Sequence, residues 1–338
     1  MFQRQINRRS FIAGAAGVVA TLPLTAPAIA QARREWRFQT TAAAGSAALE
    51  ELTRFGDSVT RSTGGQLKVT VLAAGPSAVA QAADLADAVS AGKIEMGHGN
   101  PSPYEAKVPG TTLLLAIPFG LMASEQNAWI EHGGGQELGD RMFAPAGLKF
   151  FALGNTDIQM GGWFKKELRT PDELRGLKIR IGGPGLEVMK AMGAAPINIA
   201  NGPPVREAFD KGTIDAAEAT TPAADMAIKL YEVTKNFYYP NWNEPGAMLS
   251  LFINKAAWDA LPDDQKAALA NAAAVANARY LQRMTVDNGV AITTLVKQFG
   301  VELKKFPDAI WAELKKTSAV VVPQLAAKDP MSKAVYDS

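Results

Sequence analysis

The sequence contains no cysteine. This excludes thiol catalysis, cysteine-ligated zinc, iron–sulfur clusters and any disulfide framework. A chain of 338 residues needs no such staple, because at that length it buries a sizeable core. Histidine is nearly as scarce. His98 in "GHGN" and His132 in "EHGG" have no partner four residues away, so no H-E-x-x-H zinc site exists. There is no G-x-S-x-G nucleophile elbow and no G-x-x-x-x-G-K-[ST] phosphate loop. The 35 basic and 33 acidic residues leave no basic surplus for nucleic acid and no polybasic run for lipid. Internal repeats and low-complexity linkers are also missing. The longest apolar run, Phe11 to Leu24, falls short of the ~20 residues that span a bilayer.

That run belongs to a targeting signal. Arg8 and Arg9 precede Ser10-Phe11-Ile12, then a weakly apolar Ala/Gly stretch, then a small-x-small site at Ala28-Ile29-Ala30. Residues 1–30 therefore read as a twin-arginine secretion signal cleaved after Ala30, which implies export to the periplasm. Cleavage takes three arginines and no acid, leaving 32 basic against 33 acidic residues. The remaining chain, about 308 residues long, is expected to form two interwoven lobes.

Alternation in "EWRFQTT" and "LKVTVLAA" predicts strands, and the helical spacing of Leu49, Leu52, Phe55 and Val59 predicts a helix between them. The βαβα order predicts an α/β first lobe with a largely parallel sheet. "LKFFALGN" and "MGGWFKK" read as further strands. Thr170-Pro171 with Glu173 marks a short capped helix. An Ala-rich pattern from about Asp263 to Gln298 predicts one helix of roughly 50 Å, long enough to cross two lobes. Two more helices are expected around Pro307–Thr317 and Ser318–Ala327.

One stretch bears on function. In "LKIRIGGPGLEVM", Ile179 and Ile181 share one face of a strand and Arg180 lies on the other, just before Gly182-Gly183-Pro184-Gly185. The glycines miss the G-x-G-x-x-G spacing, and Pro184 removes a backbone donor that a phosphate needs. They read as a tight strand-to-helix turn. Arg180 at the carboxyl end of its strand is either a surface ion-pair partner or a planar cation presented to a carboxylate.

Residues around this stretch carry a resemblance. "GLKIRIGGPGLEVMKAMGAAPINI", "EAFDKGTIDAAEA", "FYYPNW" and "FINKAAWDALPDDQKAAL" resemble the extracytoplasmic solute-binding proteins of TRAP transporters, the DctP-like family. The likeness covers about Trp36 to Phe306. "GNTDIQMGGWFKK", "IRIGG" and "FYYPNWNE" are most similar to the branch that binds 2-oxo or 2-hydroxy monocarboxylates.

The resemblance implies an α/β, two-lobed periplasmic-binding-protein fold with hinge strands and a long helix spanning both lobes. Residues 31–155 with 243–338 would form lobe I, including the lobe-spanning and C-terminal helices, and 156–242 would form lobe II. It implies a receptor, not an enzyme, that captures a small organic acid by cleft closure and delivers it to the TRAP membrane permease subunits. No nucleic-acid partner is implied, and the receptor would be a monomer or homodimer. By the same resemblance Arg180 pairs with the ligand carboxylate, and Tyr104 and Gln159 join it at the ligand. Asn155, at the end of its strand, is a candidate donor to a ligand oxygen, and Trp163 and Trp242 are candidate apolar walls.

A Na⁺ or Ca²⁺ would bridge protein and ligand, held by Gln159, Glu218, the Ala219 carbonyl and Glu244, all hard oxygen donors. Ala219 departs from the branch, which carries a bulky aromatic there, so ligand size stays open. Two further functions also stay open. One is a receptor for another anion, such as a C4-dicarboxylate, sulfonate or sugar acid. The other is a secreted α/β hydrolase, which needs a nucleophile–base pair that the sequence does not offer.

Overall fold

The computed structural model describes residues 33–338. The twin-arginine segment and its cleavage site lie outside the described residues. Among them the strands are β1 (Arg34–Ala43), β2 (Leu67–Ala74), β3 (Met96–Gly99), β4 (Leu148–Asn155), β5 (Gly162–Phe164), β6 (Lys178–Arg180), β7 (Ala195–Ile197), β8 (Ala216–Ala217), β9 (Asn236–Tyr239), β10 (Met248–Asn254) and β11 (Glu302–Lys305). They form two sheets, in the orders β2-β1-β3-β10-β4 and β11-β9-β5-β8-β6-β7. This is a mixed α/β architecture built on two sheets.

The first sheet is mixed where the alternating βαβα pattern predicts a largely parallel one. β1 runs parallel to β2 and β3, but β10 inserts antiparallel between β3 and β4. Local pattern reveals the βαβ crossovers. It does not reveal a strand that returns from a hundred residues further along. The segment after Asn243 feeds both sheets, since β10 joins the first and β11 pairs with β9 in the second.

Helix Ala47–Ser62 buries Leu52, Phe55 and Val59 against the first sheet, as its spacing predicts, and Ser46 caps it by accepting from Leu49 N–H. The long helix runs Asp263–Phe299, one residue beyond the expected end, and stops at Gly300 in the left-handed region. Its Leu269, Ala273, Ala276 and Tyr280 pack with the first sheet, and Leu295 packs in the core around Trp163, Phe209 and Phe237. One helix therefore anchors in both halves. Two buried asparagines pin it. Asn277 Oδ1 accepts from Gly154 N–H at 2.7 Å, and Asn288 Nδ2 donates to Thr156 O at 3.1 Å.

The two helices expected near the C-terminus are one, Asp308–Ala326, followed by Pro330–Asp337. Ile310, Leu314, Ser318, Val322 and Ala326 make a single buried stripe at i, i+4 spacing straight through the expected break. Burial of that stripe holds the helix together across Pro323. No helix among the described residues is long and apolar enough to cross a membrane.

Candidate functional site

Arg180 ends β6, between β7 and β8. Ile179 and Ile181 lock the strand into the core, which leaves Arg180 on the opposite face, itself only 6% exposed. Its guanidinium is held on three sides. Nε donates to Ile199 O at 2.9 Å, Nη1 donates to the carbonyls of Glu218 and Ala219, and Nη2 donates to Asn201 Oδ1. The Glu218 carboxylate lies 3.6 Å from Nη1. The "GGPG" segment is a strand-to-helix turn as expected, with the helix starting at Gly183. Gly183 has φ +58°, and a Cβ on Gly185 would stand 2.3 Å from Asn243 Oδ1. Both positions therefore require glycine.

Glu218 follows β8 directly and is buried. Asn241 Nδ2 donates to its Oε1 at 3.0 Å. Burial, and next the neighbouring Glu244, push the Glu218 carboxyl up to about 8; Arg180 and Asn241 act against that rise. Glu244 is likewise raised by burial, with Arg180 and Gln159 opposing. It is positioned by an Asx-type turn, in which Asn241 Oδ1 accepts from the N–H groups of Asn243 and Glu244. Gln159 Nε2 donates to Glu244 Oε2 at 3.1 Å and to Thr156 Oγ1 at 3.2 Å. Its Oε1 is buried and has no hydrogen-bond partner among the described residues.

These groups form one polar cluster inside an apolar protein. Two carboxylates repel each other, and an amide oxygen lacks a donor. A hard cation suits this donor set, because it would satisfy Gln159 Oε1 and offset the burial of two carboxyls and the repulsion that adds to the rise at Glu218. The described residues contain no group of three or more His, Cys, Asp or Glu that could hold a metal, so such a site depends on amide and carbonyl oxygens as well.

The other expected residues are placed differently. Asn155 ends β4 fully buried, with Nδ2 donating to Gln126 Oε1 at 2.8 Å and Oδ1 accepting from Asp157 N–H. Trp242 is buried against Phe119, and its carbonyl accepts from Phe119 N–H. Tyr104 is core. Its ring meets Phe252 edge-on, and its hydroxyl donates to Ala82 O and accepts from Ala86 N–H. Trp163 is core too, not an open pocket wall. It stacks on Phe237 at 3.9 Å and donates Nε1 to Asp225. Large apolar side chains bury first, and a tyrosine hydroxyl that finds backbone partners has no need of a cleft.

Residues 38–329 match the family described as bacterial extracellular solute-binding protein, family 7, DctP. The chain belongs to that family. A DctP-family chain is an extracytoplasmic solute-binding receptor of TRAP transport and not an enzyme. This chain is 36% identical over 279 residues to the monocarboxylate 2-oxoacid-binding periplasmic protein of Nostoc sp., covering 82% of this chain and 76% of that one.

Among solved structures it is similar to a TRAP periplasmic solute-binding protein from Pseudoalteromonas atlantica with bound sodium and pyruvate. The TM-score is 0.83 at 30% identity, over 90% of this chain and 92% of that one. It is also similar to a TRAP solute-binding protein from Bordetella bronchiseptica, whose active site holds copurified calcium and picolinate. There the TM-score is 0.81 at 30% identity, over 90% of each chain.

Several residues of this DctP-family site escape sequence reasoning. Asn241 and Asn201 act on Glu218 and Arg180, Gln126 holds Asn155, and Asp225 accepts from Thr220 N–H and Oγ1 in the loop after Glu218. The "NWNE" spacing signals the Asx turn at Asn241. Nothing local marks the others, since each meets its partner only through the tertiary fold.

Proposed function

We propose that the mature protein is a periplasmic receptor for a small 2-oxo or 2-hydroxy monocarboxylate, bound together with a Na⁺ or Ca²⁺ and passed to a TRAP permease. The observation that carries this reading is the buried cluster of Arg180, Glu218, Glu244 and the unpartnered Gln159 Oε1. In this reading Arg180 meets the ligand carboxylate with its positive charge and the Nη2 N–H that its protein contacts leave over. Gln159, Glu218, Glu244 and the Ala219 carbonyl hold the cation, which ties the carboxylate to its neighbouring oxygen. In this reading Asn155, whose amide is engaged by Gln126 and Asp157, and Trp242, packed on Phe119, back the ligand side of the cluster. Residues 31–155 with 243–338 and residues 156–242 act as the two lobes, closing on ligand because only the closed form contacts it from both sides. The 2-oxoacid named for one relative and the pyruvate in another support the ligand class, and the sodium and calcium beside the ligands of the two solved relatives support the cation. Ala219 puts a methyl group at the pocket, which leaves room for an acid bulkier than pyruvate.

The test is calorimetric titration with pyruvate, before and after chelation and exchange of sodium for choline. Binding should fall at least about tenfold without cation. Glu218→Gln, which keeps the Asn241 contact but not the charge, should remove most of that cation dependence. Equal affinity with and without cation would take Gln159, Glu218 and Glu244 out of the metal role.

A further inference from the structure

A cavity of about 550 Å³ lies away from this cluster, between residues 113–121, helix Ala123–His132 and the two C-terminal helices. Neither Arg180, Gln159, Glu218 nor Glu244 lines it. Its walls are apolar, with Phe119, Trp129 and Val322 prominent, and Leu121 at the opening is 44% exposed. Phe119 reaches the wall from a left-handed backbone, φ +57°, a conformation unusual for a bulky residue.

Two donors in the wall are unpaired, although Gln126, Tyr336 and Ser338 bring oxygens to the lining as well. Ser318 is 3% exposed, yet its Oγ has no partner among the described residues, and neither does the buried Trp129 Nε1. A helical serine normally bonds a carbonyl of the preceding turn. Each buried polar group left unpaired carries a desolvation cost, so a pair of them in one wall marks a place for an acceptor. Lys315 adds a positive charge, and no Asp or Glu lines the cavity. A volume in the range of ordinary small-molecule pockets, apolar walls and two unpaired donors among the lining residues make a ligand site.

We infer that this cavity binds a second small molecule, an amphipathic acid with an aromatic or branched apolar body and one carboxylate. The apolar body would fill the space between Phe119, Trp129 and Val322. The carboxylate would accept from Ser318 Oγ and Trp129 Nε1 beside Lys315. Gln126, which also lines the cavity, donates to the carbonyls of Leu114 and Leu115 and accepts from Asn155, so it physically joins this site to β4.

The probe is 3-phenylpropionate, which lacks the 2-oxygen required by the cation cluster. Ligand-observed NMR and calorimetry should show one saturable site below about 1 mM. Binding should persist in Arg180→Lys and in the presence of saturating pyruvate. Ala319→Trp, at an exposed helical position lining the cavity, should abolish it without lowering the melting temperature. Ser318→Val should weaken it at least about fivefold, and 3-phenylpropanol, without the charge, should bind more weakly than the acid. Absence of saturable binding overturns the inference, as does unchanged binding in Ala319→Trp. Loss in Arg180→Lys or competition by pyruvate would place the probe in the cleft instead, and would also overturn it.

Discussion

Arg180 does two jobs at once, and the second changes how the first is tested. Its guanidinium satisfies the carbonyls of Ile199, Glu218 and Ala219 while facing the Glu218 carboxylate. Arg180→Ala would leave those carbonyls without a donor and Glu218 without its cation, at a cost of about 3 kcal/mol in stability. Loss of ligand binding in that variant alone would therefore be ambiguous. Arg180→Lys keeps the charge and removes the fork. It should stay folded near the wild-type melting temperature and bind pyruvate at least about tenfold more weakly. Unchanged affinity would show that a point charge suffices.

His98 offers a second residue-scale test. Its Nε2 donates to Leu153 O at 2.7 Å, and its Nδ1 accepts from Thr40 Oγ1 at 3.0 Å. Burial lowers its pKa from 6.5 to about 4, against the pull of the Leu153 carbonyl. Between those values the unfolded chain holds more proton than the folded one, so stability falls as the pH drops through that window. The loss from this one residue approaches about 3 kcal/mol by pH 4 and is absent above pH 6.5. Urea titrations at stepped pH should show a shallower decline in His98→Gln than in the wild type. Equal slopes would assign the acid sensitivity to the carboxylates.

At the scale of elements, two glycines make opposite predictions. Gly185→Ala places a methyl against Asn243 Oδ1 and should cost about 1–3 kcal/mol, since that contact outweighs the gain in helix propensity. Gly289→Ala, in the long helix with nothing within 4 Å, should instead stabilise by about 0.5–1 kcal/mol. Thermal melts of the pair check both signs.

The same elements show what a sequence carries by itself. Helix Ala47–Ser62, the long helix and the turn after Arg180 were legible because their signals are local: periodicity, a cap, glycines at a strand end. The antiparallel entry of β10 and the pairing of β11 with β9 were not, because register between distant strands is set by the tertiary fold. The site divides along the same line. Strand position leaves Arg180 open between a surface ion pair and a ligand contact, and family likeness favours the second; Glu218, Gln159 and Glu244 enter through the same likeness. The "NWNE" spacing hints at Asn241, while Asn201 and Gln126 become visible only when the chain is folded. Tyr104 shows the converse, an aromatic at a suggestive loop position whose hydroxyl is engaged by Ala82 and Ala86.

For the whole molecule the decisive element is the helix that anchors in both halves. Asn288 stands where they meet, donating to Thr156 O on one side and accepting from Ala223 N–H at 3.4 Å on the other. A receptor that closes on its ligand must move one sheet against the other while this helix holds a fixed reference. The polar cluster lies across that boundary. Gln159 and Glu244 belong to the chain segments that connect the two sheets, and Arg180 and Glu218 belong to the second sheet and the loop after it. Ligand and cation together should therefore favour the compact form, and neither alone should do so fully. Small-angle scattering should show the radius of gyration falling when pyruvate and calcium are added together, and less with either one. Asn288→Ala should loosen the brace, raising the ligand-free radius of gyration while leaving the compact, fully liganded value unchanged. If scattering is the same with and without both ligands, the lobes do not close, and the permease must recognise something other than a change of shape.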